Sequence, residues 1–198
     1  MSDEEDGKPE VPAFPAVMQP KIAERLFESR TILIHGEVTS KLAQEVTARL
    51  LALSAASDDP ITIFLHSEGG HVEAGDTIHD MIKFVKPRVR IIGTGWVASA
   101  GTHIYLAAAK KDRFCLPNTR FMIHQPLGGV GGRATDIRIE AEEIIKARER
   151  LNRTIADATG QPLEKVAQDT DRNHWMSPEE AQTYGIVGKI LKTSSDLS

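Results

Sequence analysis

Short apolar runs alternate with helix-period segments along this chain, and that alternation limits the fold more than any other feature. TILIHG (31–36), ITIFLH (61–66) and VRIIGT (89–94) have the length and β-branched content of buried strands. Between the first two, SKLAQEVTARLLAL puts Leu42, Val46, Leu50 and Leu53 on one helical face, with Thr39 or Ser40 as cap. EAGDTIHDMIKFV repeats the pattern through Ala74, Ile78, Met81 and Val85. RFCL and RFMIH read as short strands. A long helix over roughly 135–158 follows, with Ile137, Ala141, Ile144, Leu151 and Ile155 on one face. SPEE (177–180) has the form of a capping box with Pro178 at the first helical position, and IVGKIL closes as a strand. The pattern predicts an α/β domain with a largely parallel sheet over 21–198. Residues 1–20 are acidic and then proline-spaced, which predicts a flexible arm, extended or disordered.

Composition closes off several functions. A length of 198 residues suits one domain, and a net charge of −4 argues against nucleic-acid binding, which needs excess Lys and Arg to displace counterions. No apolar run has the length of a membrane span, and the acidic opening MSDEEDGKPE is not the pattern of a secretory signal. The single cysteine, Cys115, rules out an internal disulfide and suits a reducing cytoplasm. In RFCLP it reads as a core residue.

In parallel α/β sheets, ligands bind beyond the carboxyl ends of the strands. Those ends carry Gly69 and Gly70, Ser99, and His124. Ser99, in GWVASAG before a helix-like run, also reads as an ordinary helix cap. VRIIGTGWVA has the G-x-G-x-x-A form of a dinucleotide-binding turn. It lacks the ribose-binding acid after the next strand and lies midway along the chain, so the fingerprint is incomplete. HSEGGH is not a metalloprotease H-E-x-x-H, the histidines show no ligand spacing, and no metal or cofactor is expected. His35, His66, His79 and His103 read as structural or surface residues.

A hydroxyl, an imidazole and a glycine pair at neighbouring strand ends suit acyl transfer. A serine needs a base within hydrogen-bond reach, which His124 supplies. A tetrahedral oxyanion needs backbone donors, here the N–H groups of Gly70 and Ala100. A third residue must orient the imidazole, and QDTDRNHW offers Asp169, Asp171 and Asn173.

From about residue 21 to 192 the sequence resembles the proteolytic subunit of the Clp protease, the ClpP family. FCLPNTRFMIHQPLGG followed by ATDI, ASAG around Ser99, the glycine pair, DTDR and SPEEAQTYGIV carry the resemblance in the family's order. It implies a crotonase-like fold with a protruding strand–helix handle, made of PLGGVGG and the helix from about 135. It also implies two stacked heptameric rings, homo-oligomeric or shared with a ClpP paralogue, enclosing a chamber. Unfolded proteins enter from an AAA+ unfoldase of the ClpX or ClpA type and are cut by a serine endopeptidase. Position by position, the nucleophile falls on Ser99, the base on His124, and the oxyanion donors on Gly70 and Ala100. Asp171 and Arg172 fall on the ring–ring contact, and Thr62, Phe64, Phe84 and Leu191 on the unfoldase-docking groove, which loses one aromatic. The family's catalytic aspartate falls on Asn173, the chief departure. Glu68 replaces a usual proline, Ala100 a common methionine, and the arm lacks the axial-hairpin sequence. The implied function is therefore an active peptidase with a weakened triad, or a mainly structural subunit working with an active paralogue. An acyl-CoA enzyme of crotonase type is a more distant third.

Overall fold

The computed structural model describes residues 18–129 and 131–197. Most of the expected arm lies outside these residues. Helix α1 (Met18–Glu28) begins inside its last three positions, with Pro20 in the first turn, where a missing N–H breaks no helical bond.

The core is built by β1 (Thr31–His35), β2 (Ile61–Ser67) and β3 (Val89–Ala98), paired in parallel. Their period-2 pattern turns Ile32, Ile34, Ile61, Ile63 and Leu65 inward, where each is fully buried. Each contributes about 1.5–3 kcal/mol of hydrophobic stabilisation. Helices α2 (Ser40–Ala56) and α3 (Val72–Phe84) connect the strands and bury Val46, Leu50, Leu53, Ala74 and Ile78 in the same core. Thr39 is the cap of α2, its hydroxyl accepting the Leu42 N–H at 3.2 Å.

Strand β3 outruns the sequence expectation by four residues. It continues through Gly95 to Ala98, so the G-x-G-x-x-A stretch is a bulged strand and not a phosphate-binding turn. The bulge needs the left-handed conformation of Gly95, at φ +57°. His66 completes it by accepting the Trp96 N–H on Nδ1 at 3.0 Å. The extra length lets β3 serve two neighbours. Its first half pairs with β4 (Arg113–Cys115), and its second half with β5 (Arg120–Ile123). Short helix α4 (Ala100–Tyr105) leaves its end.

Helix α5 (Ala134–Thr159) buries only Asn152 and Ile155. Of its expected apolar face, Ile155 is buried, Ile144 and Leu151 are half-buried, and Ile137 and Ala141 are exposed. Its N-terminal half therefore projects from the domain. The expected strand in PLGGVGG does not form among the described residues, since no described strand pairs with it. After α6 (Leu163–Asp169) and β6 (His174–Met176) comes α7 (Pro178–Tyr184), with the capping box of Ser177 and Glu180 in place. The closing strand β7 is shorter than expected, Lys189–Ile190. Gly185 ends α7 in a left-handed turn, and the N–H groups of Ile186 and Val187 bond back to the Ala181 carbonyl, which keeps them out of the sheet.

Cys115 is buried, and burial pushes its thiol up to about 12, with the Glu179 charge adding to the effect. One charged pair also anchors the core edge. Arg88 Nε donates to Asp112 Oδ1 at 2.6 Å, and Asp112 is buried. Arg88→Met leaves that carboxylate without its partner and destabilises the chain by about 2 kcal/mol, because Arg88 is itself half in water. Thermal unfolding at fixed protein concentration reads this as a lowered Tm. An unchanged Tm shows the pair to be neutral.

Candidate active site

Three strand ends meet at one place, and strand pairing alone accounts for it. Parallel pairing of β3 with β5 sets Ala98 opposite Met122, so the residues that follow, Ser99 and His124, emerge on the same edge. The Ser99 N–H fixes the register by donating to the Met122 carbonyl at 2.9 Å. Antiparallel pairing of β5 with β6 sets Ile123 opposite His174, so the next pair outward is His124 and Asn173. Thr102 ties the strands together, its hydroxyl 2.8 Å from both the Val97 and the Met122 carbonyl oxygens.

Ser99 is at the N-terminus of α4, but its hydroxyl makes no capping bond. Its backbone has φ +55° and ψ −121°, a strained conformation for a residue with a Cβ. The strained turn aims Oγ outward, 2.8 Å from His124 Nε2. On the other side of the ring, Nδ1 is 3.0 Å from Asn173 Oδ1. The amide oxygen accepts only, so Nδ1 carries the proton and Nε2 faces Ser99 with a lone pair. The cap reading of Ser99 thus gives way to a serine–imidazole–amide line. Asp169 is engaged elsewhere, by Lys165 and the Tyr184 hydroxyl, which pull its carboxyl below the usual range although burial pushes the other way. Asp171 faces Gln125, Arg148 and Arg172.

The glycine pair is required by space. A Cβ on Gly69 would lie 2.6 Å from the Ser99 Cβ, and one on Gly70 would lie 2.5 Å from the Val38 carbonyl oxygen. Val38 pairs with Gly70 as a parallel bridge, through Val38 N–H to Gly69 O and His71 N–H to Val38 O, both 2.8 Å. In such a bridge the N–H of Gly70 itself points away from Val38. The N–H of Ala100, in the first turn of α4, is likewise free of the helical ladder.

The other expected residues divide. Phe64 and Leu191 join a small apolar cluster with Ile92 and Phe114 on the far face of the sheet. Thr62 is half-buried in β2, whereas Phe84, at the end of α3, is 76% exposed and outside the cluster. Arg172 is exposed and bonds the Asp171 carbonyl oxygen at 2.9 Å. The sequence reading missed the roles of Thr102 and His103. Both lie on the face of α4 below Ser99, at the i+3 and i+4 positions, a helical spacing that carries the signal.

Comparison with known proteins covers almost the whole chain. The Clp protease family profile matches residues 17–194. The ATP-dependent Clp protease proteolytic subunit 3 of Rhizobium meliloti (strain 1021) is 55% identical over 195 residues, 98% of this chain and 97% of the relative. Proteolytic subunit 2 of Pseudomonas aeruginosa is 47% identical over 178 residues, 90% of this chain and 89% of the relative. Among solved structures, ClpP1 from Listeria monocytogenes superposes with a TM-score of 0.82 at 57% identity, covering 89% of this chain and 99% of that one. An asparagine-to-aspartate variant of the same protein gives 0.84. The family profile and the solved structures each match most of the chain, and the chain belongs to the Clp protease family.

Proposed function

We propose that this chain is a proteolytic subunit of an ATP-dependent Clp protease, a serine endopeptidase, with Ser99 as nucleophile, His124 as base and Asn173 as the residue that orients it. The observation that carries the reading is the continuous line from Ser99 Oγ through the His124 ring to Asn173 Oδ1, with spacings of 2.8 and 3.0 Å. In this mechanism Ser99 Oγ attacks the scissile carbonyl carbon while His124 Nε2 takes its proton. The oxyanion is held by the N–H groups of Gly70 and Ala100. His124 then protonates the leaving amine, and water, activated by the same nitrogen, releases the acyl group from Ser99.

Asn173 supplies the orienting half of the usual aspartate's work. It holds the proton on Nδ1 but brings no full negative charge to the imidazolium. In trypsin the corresponding exchange lowers kcat by about 10⁴, through the wrong tautomer. Here the amide oxygen faces the ring, so the tautomer is right and only the charge is missing. The triad is weakened and still competent.

The working form of the subunit is two stacked heptameric rings, of this chain alone or shared with a ClpP paralogue. They are fed with unfolded protein by an AAA+ unfoldase in the cytoplasm. Leu127 is 81% exposed, and Ile139 and Ile145 project from α5 into solvent, an apolar surface that an opposite ring covers. Asp171 and Arg172 are the ring–ring contact in this reading, and Thr62, Phe64, Phe84 and Leu191 line the docking groove. Among the described residues no helix is long and apolar enough to cross a membrane. The weakened triad also favours a second reading, in which the subunit is mainly structural and an active paralogue does the cutting.

Sedimentation combined with peptide hydrolysis separates the two readings. The chain, alone or mixed with a Ser-His-Asp paralogue, sediments as rings, and Arg172→Ala shifts it toward smaller species. Hydrolysis by rings of this chain alone, or by mixed rings whose paralogue carries a serine-to-alanine change, supports the peptidase. Rings without any such hydrolysis leave only the structural reading. A monomer under both conditions removes the chamber.

A further inference from the structure

Beside Ser99 and His124 lies a recess walled by Val72, Ile123, Pro126, Leu151 and Ile155. If Ser99 cleaves peptides, the substrate side chain on the acyl side of the scissile bond falls into this recess, so any role for the recess in substrate choice rests on the peptidase reading. An apolar wall alone discriminates poorly between side chains of one size. Two polar residues besides the reacting pair also line it, Thr102 and His103. The Thr102 hydroxyl is committed to the Val97 and Met122 carbonyls. His103 is not fully committed. It is 8% exposed, its Nε2 is 2.9 Å from Asp76 Oδ1, and its Nδ1 is buried with no partner among the described residues.

A carboxylate only accepts, so a ring with one proton carries it on Nε2 and leaves a lone pair on Nδ1. The ring is held on one face and at Nε2. It stacks on His79 at 4.3 Å with an interplanar angle of 11°, and His79 Nδ1–H donates to the His103 carbonyl oxygen at 2.9 Å. The second Asp76 oxygen is held by Arg150 of α5. Three helices thus fix one imidazole at the recess, with an acceptor that no described residue uses. A buried acceptor without a partner costs free energy, which a donor brought in by the substrate recovers.

We propose that His103, fixed by Asp76, is a specificity-determining residue: its Nδ1 accepts a hydrogen bond from the substrate side chain in the recess. Side chains ending in a carboxamide or hydroxyl are thereby favoured over aliphatic ones of the same size. Asp76 sets the polarity of the recess. In Asp76→Asn the amide oxygen must stay with Arg150, which only donates. The amide NH₂ then faces His103 Nε2, the ring proton moves to Nδ1, and the recess presents a donor.

The test uses assembled rings, with the paralogue's serine removed if assembly needs that paralogue, at one fixed pH for all variants. Two peptide pairs differ only at the residue before the cut: Asn against Leu, and methionine sulfoxide, which only accepts, against Met. The ratios of kcat/KM are compared. His103→Phe lowers the Asn:Leu ratio about tenfold. His103→Gln, whose amide gives its NH₂ to Asp76 and keeps an oxygen as acceptor, retains most of that ratio. Asp76→Asn raises the sulfoxide:Met ratio several-fold, a reversal that a merely structural histidine does not produce. Fluorophosphonate labelling of Ser99 reports the competence of each variant. An Asn:Leu ratio within twofold of wild type in a labelled, cleaving His103→Phe ring overturns the proposal. If that variant does not assemble, a sulfoxide:Met ratio unchanged in Asp76→Asn overturns it. Wild-type rings that neither label nor cleave refute the peptidase reading itself, and the specificity with it.

Discussion

A fluorophosphonate adds one phosphonyl group to the assembled chain, at Ser99, and Ser99→Ala removes both the adduct and the hydrolysis. The reagent is selective because phosphonylation needs an oxygen nucleophile beside a base. Ser99 Oγ, 2.8 Å from His124 Nε2, meets that need. The size of the loss can be bounded. A full triad is worth about 2 × 10⁶ in kcat, and an amide in the third position costs at most about 10⁴ of it. The fall from wild type to Ser99→Ala is therefore at least about 10²-fold, and larger if the favourable amide orientation preserves more of the triad. Alanine keeps the backbone bonds of position 99, Ser99 N–H to Met122 O and His103 N–H to Ser99 O, so the fold and the rings persist. Intact-protein mass spectrometry locates the adduct and sedimentation checks assembly. An alanine variant that still labels or cleaves removes Ser99 from the chemistry.

Asn173→Asp raises the maximal rate and moves the rising limb of the pH profile upward. The present oxygen at position 173 is 3.0 Å from His124 Nδ1, so a carboxylate there reaches the same nitrogen without rearrangement. A negative charge at that distance favours the imidazolium and stabilises it in the transition state. The base must be neutral to take the Ser99 proton. Because the carboxylate holds the proton on the ring to higher pH, activity begins to rise at higher pH than in the wild type. The gain stays below about 10⁴, since the amide already selects the productive tautomer. The measurement is kcat/KM against pH for both proteins at matched ring assembly. An aspartate variant with equal or lower activity and an unmoved limb dismisses Asn173 from the triad and turns attention to Asp169 and Asp171.

Much of the fold is legible in the sequence because its signals are local. The period of Ala74 and Ile78 in α3, the Thr39 cap, the Ser177–Glu180 capping box and the alternation in β2 each act within a few residues. The structure contains all of them. The candidates Ser99, His124, Gly70 and Ala100 were accessible for a related reason: in a parallel sheet, strand ends are where ligands go. The choice of Asn173 over Asp169 and Asp171 was not available from spacing. It came from family resemblance, and the register of β5 against β6 supplies its physical basis, with Ile123 opposite His174 bringing residues 49 apart into contact.

What the sequence determined by itself is the alternation of strands and helices from β1 to β5, the helices α5 and α7, the caps of α2 and α7, the glycine pair and the family; it did not mark α1, α6 or β6, and the strand it suggests in PLGGVGG does not form among the described residues. Tertiary structure decided which strands share β3, that its G-x-G stretch bulges instead of turning, and that Ile186 and Val187 stay out of β7. It also turned the Ser99 hydroxyl from a cap into a partner of His124, and stacked His103, which lines the recess beside that pair, on the buried ring of His79. The division comes from range. Helix propensity, capping and strand alternation are settled by neighbours along the chain. Strand partners, side-chain direction at a strained turn and the burial of a polar ring depend on groups dozens of residues away, which meet only once the core has closed.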